Sequence, residues 1–168
     1  MSGKKKPKII SIDFEFGVNG IIPSTQQAYH DSNCDIKEKK KEGESISALS
    51  FFISKTLFER VKELEQFPSN NEIFVLIVQY FISRKECDSR DVDNMAKTML
   101  DLLKAKFYHN DSQVRTLLVH KRIDQKIPQN FAYIAIKEIK NDNDSSVLKC
   151  AGIERSMRFY NEEIRNVK

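Results

Sequence analysis

The sequence has few of the residues that staple or anchor a chain. Its three cysteines, Cys34, Cys87 and Cys150, are scattered over 168 residues with no CxxC spacing. Such an odd, dispersed set suits a reducing cytoplasm better than a secreted disulfide scaffold. No run approaches the ~18 apolar residues needed to span a membrane. The basic start MSGKKKPK is not followed by a signal-peptide core, because Asp13 and Glu15 interrupt the apolar stretch. His30 and His120 have no neighbours that would suggest zinc, and no internal repeat is visible. NDNDSS, 141 to 146, lacks the glycine and terminal glutamate of a calcium loop and reads as a surface turn. The expectation is a soluble cytoplasmic protein.

What is present is an ordinary globular composition, 40% hydrophobic and 31% charged. A chain of this length forms one domain and buries roughly 70% of the surface of its unfolded form. It therefore needs no structural metal. Twenty-eight Lys and Arg against 24 Asp and Glu leave a net charge of +4, which permits a polyanionic partner without requiring one.

From Ile10, the stretch IISIDFEF alternates Ile10, Ile12, Phe14 and Phe16 with Ser11, Asp13 and Glu15. Period two predicts a half-buried strand over 9–16. DIKEKKKEGE, 35 to 44, holds four lysines and four acids and reads as a net-neutral solvated loop. Ile46, Leu49, Ile53, Leu57, Val61 and Leu64 recur at threes and fours, which predicts an amphipathic helix from about 45 to 66. FPSNN stops it. IFVLIVQYFI, 73 to 82, is nearly continuous apolar and predicts a central strand buried on both faces. A helix is expected from about 94 to 105, and strands over 114–122 and 131–139. Their short link suggests an antiparallel pair. Ile153, Met157, Tyr160 and Ile164 form a helical stripe in the tail, suited to docking or to a subunit contact. The organisation expected is a basic tail (1–8), a main domain (9–140) and a C-terminal linker and helix (141–168). The fold class is α+β, a mixed sheet of four to five strands flanked by helices.

Charge crowds where the central strand gives way to a helix, in RDVDNMAK. If Asp91-Val92-Asp93 is extended, its two carboxylates share a side roughly 6.5–7 Å apart. Asp93 is typed as a helix N-cap, and Lys97 then lies one turn further on. Carboxylates this close repel unless a cation intervenes, and Mg²⁺ takes one or two carboxylates plus substrate phosphates. The plainer alternative is a capped helix, with Asp91 paired to Arg90 or Arg122 and Lys97 to Asp101. HNDSQV, 109 to 114, returns a third acid, Asp111, before the next strand, or else is a simple Asx turn. His109 stands close enough to Asp111 in sequence to relay a proton, though a loop histidine more often has no catalytic part.

DVDN, Lys97, LDLL, NDSQV and a strand ending in HKR occur here in that order. In order and spacing they resemble the RusA endonucleases, small magnesium-dependent resolvases of four-way DNA junctions. The family pattern is DxDN, a lysine four residues after the second Asp, and DD followed by a small or acidic residue and Gln. The likeness is close over 91–122 and extends loosely back to PSTQQAY, 23 to 29. The sequence departs from it in three places: Asn110 replaces the first acid of DD, Arg90 stands where Pro is common, and the pair Gln26-Gln27 stands where an Asn is usual.

The resemblance implies that Asp91, Asp93 and Asp111 are the essential, metal-holding carboxylates, that Lys97 is the essential lysine, and that Asn94 orients the turn. Mg²⁺ is the implied cofactor, with Mn²⁺ as an alternative ion. The implied partner is branched DNA, cut by a two-fold homodimer. Lys4, Lys5, Lys6, Lys8, Lys121 and Arg122 are the expected DNA-backbone contacts, the N-terminal four being equally well read as a solubilising tail. The other readings are a nuclease for flaps or forks, and a silent junction-binding protein on the same fold.

Overall fold

The computed structural model describes residues 12–24, 36–140, 155 and 158–162. The chain forms β1 (Phe14–Asn19), α1 (Ile36–Glu59), a 3-10 turn (Val61–Leu64), β2 (Glu72–Phe81), α2 (Arg84–Asp88), α3 (Val92–Leu103), a second 3-10 turn (Asp111–Gln113), β3 (Val114–Ile123) and β4 (Phe131–Ile139). The α+β expectation holds, with one mixed four-stranded sheet in the order β1-β4-β2-β3.

The run predicted as a central strand is β2, and nine of its ten residues are buried. It pairs with β4 antiparallel and with β3 parallel. The antiparallel β3–β4 pair expected from their short link does not form. Instead the link passes the end of β2, where the Asp124 N–H donates to Phe81 O at 2.9 Å. Parallel β2 and β3 need a crossover, and that crossover carries α2 and α3.

Alternation along β2 feeds two apolar layers. Ile73, Val75, Ile77 and Phe81 pack with Phe14, Phe16, Leu49, Ile53 and Leu57, and with Met95, Met99 and Leu103 of α3. Fully burying side chains such as these three from α3 contributes about 1.5–3 kcal/mol each. On the other face Phe74, Leu76, Val78 and Tyr80 pack with Phe131, Tyr133 and Tyr160. Tyr160 is the one member of the predicted tail stripe among the described residues. It stacks on Tyr80 at 6.4 Å and meets Phe131 edge-on at 5.1 Å, so the tail docks here. Arg155 pairs with Glu15, whose carboxylate also accepts from the Tyr133 hydroxyl.

Two local expectations are corrected. β1 starts at Phe14, after Asp13 bends the chain and its Oδ2 accepts the Glu138 N–H at 2.8 Å, and the part of the 9–16 expectation that falls on residues 9–11 lies outside the described residues. Ile12 consequently joins the layer opposite Phe14 and Phe16. Residues 36–44, expected as a loop, open α1. Lys and Glu are good helix formers, so a neutral run of them extends an apolar-striped helix as readily as it forms a loop. Residues 1–8 and the calls resting on 141–154 lie outside the described residues.

Candidate active site

The turn RDVDN joins two helices. α2 ends at Asp88, Ser89 caps it, and Asp91 takes the N-cap position of α3 with φ −91° and ψ 142°. Asp91 alone is extended. Val92 and Asp93 are already helical, so Asp93 is not the N-cap but lies in the first turn. There its charge is favoured by the helix dipole. An Asp at an N-cap ordinarily accepts from a first-turn N–H, yet the Asp91 side chain makes no such bond.

Asp91, Asp93, Lys97 and Asp111 all line one open cleft of ≈1070 Å³ between α3 and β3. Ala96, Leu100, Leu117 and Val119 give it an apolar floor, and Asp101 adds a fourth carboxylate. Among the described residues, no ion pair uses Asp91, Asp93 or Lys97. The pairings of Asp91 with Arg90 or Arg122, and of Lys97 with Asp101, are therefore absent from that set. The charges face the cleft uncommitted.

Asp111 is placed differently. It pairs with Lys104 at 3.1 Å, beyond the other end of α3. Eleven residues from Asp93 to Lys104 rise roughly 16 Å at 1.5 Å each. No group of three or more His, Cys, Asp or Glu side chains converges as a metal site among the described residues. The donor chemistry still suits a hard divalent ion, which takes carboxylate oxygens and completes its shell with water and phosphate. Asp91 and Asp93 offer those oxygens.

The Asp111 loop is built by Gln113, whose importance the spacing alone did not reveal. Its Oε1 accepts the N–H groups of His109 (2.8 Å) and Asn110 (2.9 Å). Its Nε2 donates to Ser69 O and Asn71 O at 2.9 and 3.0 Å. Ser69 and Asn71 in turn donate to Glu138 of β4, and these hydrogen bonds, the Ser69 hydroxyl first, hold its carboxyl below the usual range. Asn110, the departure from the DD pattern, closes a capping box: its Oδ1 accepts the Ser112 N–H at 3.2 Å. It is not among the residues lining the cleft. Asn and Asp cap about equally well. Asn110→Asp is thus expected to leave melting temperature and cutting rate within about twofold of wild type. A tenfold gain in cutting would show that the missing carboxylate belongs to the chemistry.

Asn94 is 9% exposed, and its Oδ1 has no hydrogen-bond partner among the described residues. Nor does the Oγ of Ser24, and both residues line a cavity of ≈50 Å³ behind Asp91. The cavity is polar and roomy enough for a bridging water. Ser24 is brought there by Gln79, the one polar residue inside β2. Its Oε1 accepts the Ile22 N–H at 3.0 Å and its Nε2 donates to Gly20 O at 2.9 Å. Thr98 of α3 completes the tie by donating to Pro23 O at 2.8 Å.

The expected DNA contacts lie apart. Lys121 donates to the Cys87 and Arg90 carbonyls at 2.8 and 2.7 Å. Arg122 points to the other sheet face, 5.9 Å from the Tyr80 ring centroid. Lys4, Lys5, Lys6 and Lys8 fall outside the described residues. His109 is exposed, with its backbone N–H bound to Gln113.

Comparison with protein families gives a match to one whose description is Endodeoxyribonuclease RusA, over residues 35–137. The match takes in α1 through most of β4, including the whole cleft, and leaves out β1 and residues 23–29. No curated protein matches the chain. No helix among the described residues is long and apolar enough to cross a membrane.

Proposed function

The chain belongs to the RusA endodeoxyribonuclease family, which implies a structure-specific endonuclease acting on four-way DNA junctions, and we propose that it cuts such junctions with Mg²⁺ in a site built on Asp91, Asp93 and Lys97. The observation that carries this reading is the N-cap aspartate that does not cap. Asp91 leaves its carboxylate to the cleft beside Asp93, and no cation of the described chain neutralises either.

When bound, Mg²⁺ would polarise the scissile phosphate and lower the pKa of the attacking water. The protein's own residues do the rest. Asp91 and Asp93 hold the ion at the start of a helix whose apolar face is locked into the core, so the ligands have a rigid base. Lys97, one turn along, lies on the same wall and offsets charge growing on the phosphate. The backbone is gripped for position and not for base sequence.

A junction presents two strands, so two sites related by a two-fold axis are needed, and a homodimer supplies them. The position of Asp111 supports a more specific arrangement. Two copies packed antiparallel across the α3 face would bring the partner's Asp111 toward Asp91 and Asp93. Leu117 and Val92, 38% and 40% exposed on this wall, suit such a contact. The test is to mix Asp93→Asn with Asp111→Asn, each inactive alone. Shared sites predict that mixed dimers regain one working site and make single nicks. Sites complete within one chain predict that the mixture stays inactive.

A further inference from the structure

Lys121 lies on β3 opposite Gln79 of β2, and both side chains point to the helix-bearing face of the sheet. Gln79 ties down the segment that carries Ser24. Lys121 reaches the other wall, where its Nζ donates to Cys87 O at 2.8 Å and to Arg90 O at 2.7 Å. Cys87 lies in the last turn of α2, whose terminal carbonyls have no helical partner. Arg90 is the residue before Asp91.

We infer that Lys121 is a positioning residue for the metal-holding turn and not a contact to DNA. One ammonium bridges the end of α2 and the start of α3, and so fixes where Asp91 leaves the backbone. A lysine has three donors, and two of them are spent on these carbonyls. A cation is favoured at a helix C-terminus, and hydrogen bonds from charged donors are the stronger kind. Ser89 serves Lys85 O and Glu86 O of the same turn, which leaves Cys87 O and Arg90 O to Lys121. No neighbouring residue replaces it: Arg122 faces the other side of the sheet, and the Lys85 side chain is exposed.

The inference rests on the nuclease reading for its consequence, but its geometry can be tested without catalysis. Lys121→Met is expected to speed amide exchange at residues 89–95 by about tenfold or more while β2 and β4 stay protected. Junction binding in EDTA is expected to keep its salt dependence, whereas losing a phosphate contact lowers the slope by about one per site. Cutting in Mg²⁺ is expected to fall about 10- to 100-fold, the usual cost of loosening a residue that orients a metal ligand. Amine-reactive labelling of the wild-type protein covers the case in which the variant does not fold. Lys121 is expected to resist labelling with no DNA present, while the exposed Lys97 reacts. Unchanged exchange at 89–95, a reduced salt slope, or labelling of Lys121 that only the junction blocks would overturn the inference. If wild type binds junctions without cutting, the nuclease reading fails while the exchange and labelling results still decide the role of Lys121.

Discussion

Asp93→Asn is expected to slow junction cutting by at least about 10²-fold, the scale on which a preorganised charge is lost from a phosphoryl or acyl transfer site. The substitution keeps size and removes one negative charge from a first-turn position that makes no bond needed for folding. Stability should therefore change by only about 0.3–1 kcal/mol, the value of an acid near a helix N-terminus. Binding to a junction in EDTA should hold or tighten, because a carboxylate facing a phosphodiester repels it. Lys97→Met gives the opposite pairing, with slower cutting and weaker binding. The two variants thus move catalysis together and affinity apart. A structural role for both residues predicts matched losses of stability and no such divergence.

The second large effect is on stability. Gln79→Leu is expected to cost about 2–4 kcal/mol, since it leaves the buried Ile22 N–H without an acceptor and takes a donor from Gly20 O. For a chain of this size that lowers Tm by about 5–15 °C. The cost is high because leucine fills the space without replacing either bond, and the other polar ties of the 20–24 segment, Gly20 N–H to Asn130 O and Thr98 to Pro23 O, both 2.8 Å, do not reach the Ile22 N–H. Local loosening should also separate Ser24 from the cavity behind Asp91. A Tm within 2 °C of wild type, measured by calorimetry, would mean that the segment is held by its apolar residues alone.

How far the sequence was legible depends on whether a residue's role was set by its near neighbours. β2 was readable because eight of its ten residues are apolar or aromatic, which leaves a strand no exposed face. α3 was readable because Met95, Met99 and Leu103 repeat every fourth residue. The pairing of β3 was not, because a seven-residue link between Ile123 and Phe131 can turn back as a hairpin or pass a neighbouring strand end. Only the packing of α2 and α3 as a crossover decides it. The N-cap was misplaced by two residues because Asp91 and Asp93 are the same amino acid, and capping preference cannot separate them.

The site followed the same rule. Asp91, Asp93 and Lys97 belong to one turn and one helix, so spacing brought them together. Asp111 depends on how a loop returns, and there it pairs with Lys104. Lys121 was in fact legible in part. Leu117, Val119, Lys121 and Ile123 share one face by strand alternation, and that face is the one α3 covers. The expectation of a DNA contact at Lys121 rested on the charge of HKR alone, whereas strand alternation places that lysine on the covered face. Gln79 was hidden similarly, as one amide in an apolar run.

The most direct test is cutting of an end-labelled synthetic four-way junction, beside linear duplex and fork, in Mg²⁺ and in EDTA, by wild type and Asp93→Asn. The account predicts paired nicks, confined to the junction, that require Mg²⁺ and vanish in the variant. Junction binding with no cutting by either protein, or nicks that persist unchanged in Asp93→Asn, would contradict it.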